Sequence, residues 1–176
     1  MSQKNWNKNT AKIEDHDALM DEFDYESDRG YALMAVAALD IVLAGLLSSF
    51  MIDEPNEVND LLGTSDNPDA PLGTFSARIL AAYCLGLLTK RMRQNLHLMR
   101  RIRNHFAHQL HGGSFEEEPV KSWCDALQVS DLPEDGHFVN YRHKFTYAYI
   151  DLHYDMKYLR HPIIEPRRKV LTDDDL

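Results

Sequence analysis

Apolar residues recur along this chain at the three- and four-residue spacing of α-helices, and no stretch alternates with the two-residue period of a β-strand. The pattern predicts helices over residues 13–23, 27–51, 74–85, 89–110, 116–127 and 141–159. A loop rich in Pro, Gly, Asn and Asp covers residues 53–73, with one turn of helix expected near 57–62. We therefore predict an all-α fold, a single-domain multi-helix bundle.

Capping residues mark where several of these helices begin and end. Ser27, Thr74 and Thr89 each precede a helical segment and are residue types that cap helix N-termini through their side-chain oxygens. Gly86 follows the third helix, where the left-handed conformation that ends many helices favours glycine. Because the turn that follows Gly86 is short, the third and fourth helices are expected to form an antiparallel hairpin.

The long second helix resembles a membrane span in its apolar content. Residues 33–52 are mostly apolar, but Asp40 lies near their middle and no Lys/Arg cluster flanks them. A carboxylate at the bilayer centre costs about 2.5–3.5 kcal/mol. We therefore expect a buried central helix inside a globular domain of residues 1–165, followed by a solvated tail at 166–176.

Two charged residues lie near the centres of apolar helix stripes. Asp40 is central on the second helix and Arg103 on the fourth, and buried charges in proteins are paired. Two pairings are open. Either Asp40 pairs with Arg103, or Arg103 pairs with Glu26 or Asp28 while Asp40 pairs with Arg29.

The opposite side of the fourth helix is polar and basic. Its members, which we call the basic ridge, are Arg93, His97, Arg101, Asn104, His108 and His111, with Arg100 beside them. The net charge of the chain is −9, yet residues 71–115 contain seven Lys/Arg and no Asp or Glu. The ridge is predicted to bind an acidic protein, a phosphate-bearing ligand or nucleic acid. The alternative is that acidic helices of the same chain neutralise it.

Four histidines, His97, His105, His108 and His111, lie close together in the sequence. A zinc site would need a further ligand, and the chain has no HExxH motif and no nearby Cys pair. It also has no glycine-rich nucleotide loop. We therefore expect neither a metal nor a cofactor.

Three segments carry a resemblance to a known family. They are ESDRG at 26–30 followed by Asp40, PLGTFSARI at 71–79 followed by Tyr83 and Gly86, and IRNHFAH at 102–108. Together they resemble the mannitol operon repressor (MtlR-like) family of bacteria, over roughly residues 19–115. The resemblance implies an all-helical regulator that represses sugar-alcohol uptake genes through a protein partner rather than by reading DNA directly, and not an enzyme.

A second resemblance competes with the first. Arg103-Asn104-x-x-x-His108 is similar to the motif of the HEPN superfamily of helical ribonucleases and nucleotide-binding domains. That resemblance implies metal-independent RNA cleavage, with His108 as acid or base and Arg103 and Asn104 on the phosphate. A continuous helix would place Arg103 and His108 roughly 140° apart. The motif therefore requires either that the helix ends between them or that a second subunit completes the site.

The charge pattern bears on how such a regulator would act. A direct DNA-binding repressor would use Arg93, Arg101 and Asn104 on base edges, but the chain has no helix-turn-helix pattern and is acidic elsewhere. We therefore favour a protein partner over direct DNA binding. The N-terminus has no apolar segment typical of a secretory signal, so we expect a cytoplasmic location.

The last helix is apolar or aromatic on two sides. One side carries Tyr141, Phe145, Ala148, Leu152, Met156 and Leu159; the other carries Tyr147, Ile150, Tyr154 and Tyr158. We expect a homodimer in which one side packs against the chain's own core and the other against a second copy. The alternative is that both sides pack internally.

Overall fold

The computed structural model describes residues 23, 25–63, 67, 69–109, 112–130, 133 and 136–158, and these form helices without a β-strand. The helices are α1 (Asp28–Phe50), α2 (Pro55–Leu62), α3 (Phe75–Cys84), α4 (Lys90–His108), α5 (Val120–Asp125) and α6 (Tyr141–Tyr158). The all-α multi-helix fold that the sequence predicts is confirmed. The predicted helix 13–23 apart from Phe23, the tail 166–176 and His111 lie outside the described residues.

The predicted capping residues begin and end the helices as expected. Ser27 accepts a hydrogen bond from the Gly30 amide at 3.1 Å, Thr74 from Ala77 at 3.2 Å and Thr89 from Met92 at 3.2 Å. After α3, Gly86 has φ of 74°, and the amides of Gly86 and Leu87 donate back to Tyr83 and Ala82. This is the Schellman arrangement, which turns the chain tightly enough for α3 and α4 to pack against each other.

Helix α1 is the centre of the bundle. It packs against α2, α3, α4 and α6, and its small and apolar residues, such as Ala35, Leu39 and Leu43, are fully buried. By length and composition alone α1 could cross a membrane, but half of its most apolar window is buried inside the fold. The prediction of a long buried central helix is confirmed.

An aromatic cluster joins α1, α4 and α6. Phe115, which follows α4, is completely buried, with its ring 5.0 Å from that of Phe145, 5.2 Å from Phe106 and 6.2 Å from Tyr31. The edge-to-face and tilted geometries are those that aromatic rings prefer. The cluster therefore fixes how the three longest helices of the described chain pack together.

The predicted partners of the buried charges are wrong. Asp40 pairs not with Arg103 but with Arg78 on α3, at 2.5 Å between Arg78 Nη1 and Asp40 Oδ1. Arg103 makes no ion pair with any described residue. Burial raises the pKa of Asp40, and the positive charges of Arg78 and Arg103 act to lower it. Arg103 thus acts on Asp40 through its positive charge, without forming an ion pair with it.

The alternative pairs are not formed either. Asp28 accepts hydrogen bonds from Arg142, from the Ser114 hydroxyl and from the Phe115 amide, at 3.0–3.1 Å. Arg29 donates to the main-chain carbonyl of Gln109 at 2.8 Å rather than to Asp40. Each of these contacts joins α1 to a residue at least 80 positions away, and helix phase alone does not predict such distant partners.

Two helix lengths also differ from expectation. Helix α5 begins at Val120 instead of residue 116, with Pro119 at its N-cap, because a proline disfavours the helical conformation of the residue before it. It ends at Asp125 instead of residue 127. Helix α2 is longer than the single turn predicted and begins at Pro55, whose fixed φ suits the first helical position.

Helix α6 buries one of its two apolar sides. Phe145, Ala148, Leu152 and Met156 are in the core, as expected for the side that packs internally. On the other side, Ile150 packs partly against the core and Tyr154 is 47% exposed. The homodimer stays a prediction.

Candidate functional site

Helix α4 separates its buried residues from the basic ridge. Met92, Leu96, Met99, Ile102 and Phe106 face the core. On the opposite side, the half-buried ridge residues are Arg93, His97, Arg100 and Asn104. The exposed ridge residues are Arg101 and His108. The ridge is therefore a surface feature of the longest amphipathic helix, as the sequence predicts.

The N-terminal part of the ridge lines a groove of about 670 Å³, which we call the basic groove. It is bounded by the end of α3, by α4 and by the segment after α5. Its lining residues are Tyr83, Lys90, Arg93, Gln94, His97, Leu98, Arg101, Ala126 and Gln128. No lining residue is Asp or Glu, so the positive charge of the groove is not compensated from within.

Two arginines of the groove are held by aromatic rings rather than by carboxylates. The guanidinium of Arg93 lies 4.5 Å from the centre of the Tyr83 ring, and that of Arg101 lies 4.7 Å from the centre of the Trp123 ring. Such stacking is worth about 0.5–1 kcal/mol at exposed sites and restrains the guanidinium plane. Neither arginine makes an ion pair with a described residue, so both can receive an anionic ligand.

One wall of the groove is fastened to α4 by Asn95, which is completely buried. Its side-chain amide donates to the Gln128 carbonyl at 2.6 Å, and its side-chain oxygen accepts from the Gln128 amide at 3.1 Å. The side chains of Gln128 and Gln94 are joined at 3.0 Å across the groove. This pairing sets the position of the segment after α5 relative to the basic ridge.

A second cavity of similar volume has cations that are already engaged. Arg142 in its wall donates to the carbonyls of Phe23 and Glu26 and to Asp28, and Lys144 donates to the carbonyl of Asp125. Its lining includes carboxylates as well as cations. The basic groove is therefore the better candidate for an anionic ligand.

His97 lies between the two stacked arginines. Burial lowers its pKa from the ordinary value of 6.5, and the charges of Arg100 and Arg93 lower it further. At neutral pH the imidazole is therefore uncharged, and it can accept or donate a hydrogen bond in the middle of the groove.

This environment makes a testable prediction about pH. Because the unfolded chain binds a proton at His97 more readily than the folded chain does, His97 contributes stability above pH 6.5 that is lost as the pH falls through the lowered pKa. Wild type should thus lose stability relative to His97→Gln as the pH falls from above 6.5 through the lowered pKa of His97. Urea unfolding of both proteins measures the difference, and Arg100→Ala should raise the His97 pKa in an NMR titration. A His97 midpoint at or above 6.5 would contradict the prediction.

The structure does not bring all ridge residues to one site. Arg93, His97 and Arg101 line the basic groove, whereas Asn104 and His108 lie further along α4 and do not. His105 lies off the ridge, edge-on to Trp123 and 2.8 Å from the Gln109 amide. Within the described part of the chain, no three His, Cys, Asp or Glu side chains form a candidate metal site.

The residues of the ribonuclease-like motif are not assembled by one copy of the chain. Helix α4 is continuous through His108, so it does not end between Arg103 and His108, and five residues of helix separate them by roughly 140°. Asn104 and His108 share the ridge, and Arg103 lies near the buried side beside Asp40.

Three important residues were missed in the sequence. Tyr83 and Trp123 hold the arginines, and Asn95 fastens the wall. Asn95 gave a signal that could have been used, because it is an uncharged polar residue on the apolar stripe of α4 and a buried amide needs partners. Tyr83 belongs to the segments that resemble the mannitol operon repressor family, but no role was predicted for it. Trp123 gave no signal, since the ring contacts of both residues depend on how α3 and α5 pack.

Comparison with known proteins bears on the fold. No protein-family model and no curated protein matches this chain. Among solved structures, it is similar to a chain of the X-ray structure of the MtlR-HPr complex from Escherichia coli, with 19% sequence identity and a TM-score of 0.64. The match covers 80% of this chain and 96% of that one. The chain therefore has a fold like that of MtlR along most of its length.

Proposed function

We propose that this chain is a cytoplasmic transcriptional regulator that acts through a protein partner and is not an enzyme. By analogy with the mannitol operon repressor family that its sequence resembles, it would repress genes for sugar-alcohol uptake. The observation that carries the proposal is the basic groove, which holds two arginines without a carboxylate on a fold like that of MtlR.

Charge favours a protein partner over DNA. Residues 1–70 contain 15 acidic and 4 basic residues, and residues 116–176 contain 13 and 8. These segments would repel the phosphates of a duplex that extended beyond the groove. A protein partner can limit its contact to the groove and its rim. The structure of MtlR with HPr supports the idea that this kind of fold carries a protein-binding surface.

Direct DNA binding and RNA cleavage remain the alternatives to be tested. Arg93 and Arg101 are restrained by stacking on rings, and base-edge readout would require them to reach into a groove of the duplex. RNA cleavage through Arg103, Asn104 and His108 would require a second subunit to supply one half of the site, because α4 separates the residues.

The proposal predicts that Arg93→Ala/Arg101→Ala abolishes regulation without unfolding the chain. Removal of each arginine leaves one carboxylate of the partner protein unpaired, which should weaken partner binding by roughly tenfold. Deletion of the gene in its own host should raise transcripts of sugar-alcohol uptake genes. Wild type should restore repression and the double variant should not, and quantitative PCR measures the transcripts. Partner binding is measured by titration of the purified proteins, with HPr as the first partner tested.

A matched control changes the net charge equally at another place. Lys121→Ala/Lys144→Ala also removes two positive charges, but neither lysine lines the basic groove, so this variant should repress like wild type. Unchanged transcripts after gene deletion would overturn the proposal. If the chain alone binds operator DNA specifically and Arg93→Ala/Arg101→Ala loses that binding, the DNA alternative is favoured. If the chain cleaves RNA without metal and His108→Ala loses that activity, the ribonuclease alternative is favoured.

A further inference from the structure

Three residues of the basic groove are arranged in a regular row. Arg93, His97 and Arg101 follow one another at four-residue intervals on α4, which places them about 6 Å apart along the helix axis. The two arginines at the ends are about 12 Å apart by the same rise per residue. This row therefore has a positive charge at each end and an imidazole between them, and Lys90 adds a further positive charge to the lining of the groove.

Neither guanidinium makes an ion pair with a carboxylate of the described residues. The guanidinium carbon of Arg93 lies 4.5 Å from the centre of the Tyr83 ring, and that of Arg101 lies 4.7 Å from the centre of the Trp123 ring. A guanidinium held in this way is pre-organised to bind a carboxylate through two parallel hydrogen bonds. The row thus matches two carboxylates with a spacing of two helical turns.

The rest of the groove fits a polypeptide better than a nucleic acid. Besides the basic residues, Leu98 and Ala126 contribute apolar surface, and the linked amides of Gln94 and Gln128 contribute neutral polar groups. Single-stranded nucleic acids gain affinity when bases stack on aromatic rings. Here Tyr83 and Trp123 each already have a face covered by an arginine, so a base would have to displace it or use another face.

We propose that the basic groove binds an acidic helical segment of the partner protein, with carboxylates at positions i, i+4 and i+8. The outer two would pair with Arg93 and Arg101, and the central one would accept a hydrogen bond from His97. This inference rests on the proposed function, because it specifies the chemistry of the partner that the regulator would use.

Helix geometry explains why the segment would be helical. All α-helices have the same rise per residue, so carboxylates at four-residue intervals on a helix recur about every 6 Å, which is the axial spacing of Arg93, His97 and Arg101 on α4. An extended segment places same-face side chains about 6.6–6.8 Å apart and loses this register by more than an ångström over the groove.

The test uses the full-length chain and a defined peptide. An alanine-rich peptide of about 16 residues, long enough to form helix in water, carries Glu at every fourth position of one face. A second peptide has the same composition with the Glu residues distributed around the helix. We expect the first peptide to shift the Arg93 and Arg101 side-chain N–H signals in NMR titrations and to bind roughly tenfold more tightly than the second.

Variants and competing ligands make the result decisive. Arg93→Ala/Arg101→Ala should remove the preference between the peptides, and Lys121→Ala/Lys144→Ala should retain it. Equal binding of the two peptides, shifts confined to residues outside the basic groove, or tighter binding of a single-stranded RNA of similar length would each overturn the inference.

The failure of this inference differs from the failure of the proposed function. If the two peptides bind equally while Arg93→Ala/Arg101→Ala abolishes repression in cells, the helical-segment inference is wrong and the regulator stands. If gene deletion leaves transcription unchanged, the proposed function is wrong even where the first peptide binds as expected.

Discussion

Arg78→Ala should lower the free energy of unfolding by about 3–5 kcal/mol, the cost of breaking a buried ion pair by removing one partner. The Arg78 side chain is only 13% exposed and that of its partner Asp40 28%. Besides binding Asp40, Arg78 donates from Nε to the Leu72 carbonyl at 2.9 Å and from Nη2 to the Leu62 carbonyl at 2.8 Å. One guanidinium therefore joins α1, α3 and both ends of the loop between α2 and α3.

Asp40→Ala separates the ion pair from the carbonyl contacts. It removes the carboxylate but leaves Arg78 with its two carbonyl acceptors, so it should destabilise the chain less than Arg78→Ala does. In the double variant, the two effects should fall short of their sum by about 0.5–3 kcal/mol, because the second change removes a charge that is already unpaired. Reversible urea unfolding measures all three. A loss below about 1 kcal/mol for Arg78→Ala would show that solvent replaces these contacts.

The burial of Asp40 could be predicted from the sequence pattern, but its ion-pair partner could not. That Asp40 lies inside the fold follows from its position on an apolar stripe, and this needs only the helical period. That its partner is Arg78 depends on the loop between α2 and α3, whose Leu62 and Leu72 carbonyls hold the guanidinium in place. Arg103 also lies on the buried face of α4, but its position on the helix face does not determine which of two nearby arginines pairs with the carboxylate.

The same distinction applies to the basic groove. Arg93, His97 and Arg101 were identified from their spacing on one helix, which is local information. The groove exists because Tyr83 comes from α3, Trp123 from α5 and Gln128 from the segment after α5. Their positions depend on tertiary packing, and two of the three contacts are ring–cation contacts for which the sequence has no periodic signal. The beginnings of α1 and α3, by contrast, were predictable because Ser27 and Thr74 act on amides only three residues away.

Phe115→Ala should also cost about 3–5 kcal/mol, as expected for truncating a fully buried aromatic side chain. The ring is completely buried between α1, α4 and α6 and contacts the rings of Tyr31, Phe106 and Phe145. No helix begins or ends at Phe115, so the lost free energy would come from packing between helices rather than from the stability of one helix. Thermal and urea unfolding of Phe115→Ala and wild type measure the loss.

Two controls distinguish packing from other effects of the substitution. Tyr25→Ala removes an aromatic ring that is 93% exposed, so it should change stability by no more than about 0.5 kcal/mol. Phe115→Leu keeps most of the apolar volume and should cost clearly less than Phe115→Ala, because a smaller cavity is left. The Phe115 amide donates to Asp28 at 3.0 Å, and neither substitution at residue 115 removes that main-chain contact. If Phe115→Leu were as destabilising as Phe115→Ala, the edge-to-face ring contacts rather than the buried volume would hold α1, α4 and α6 together.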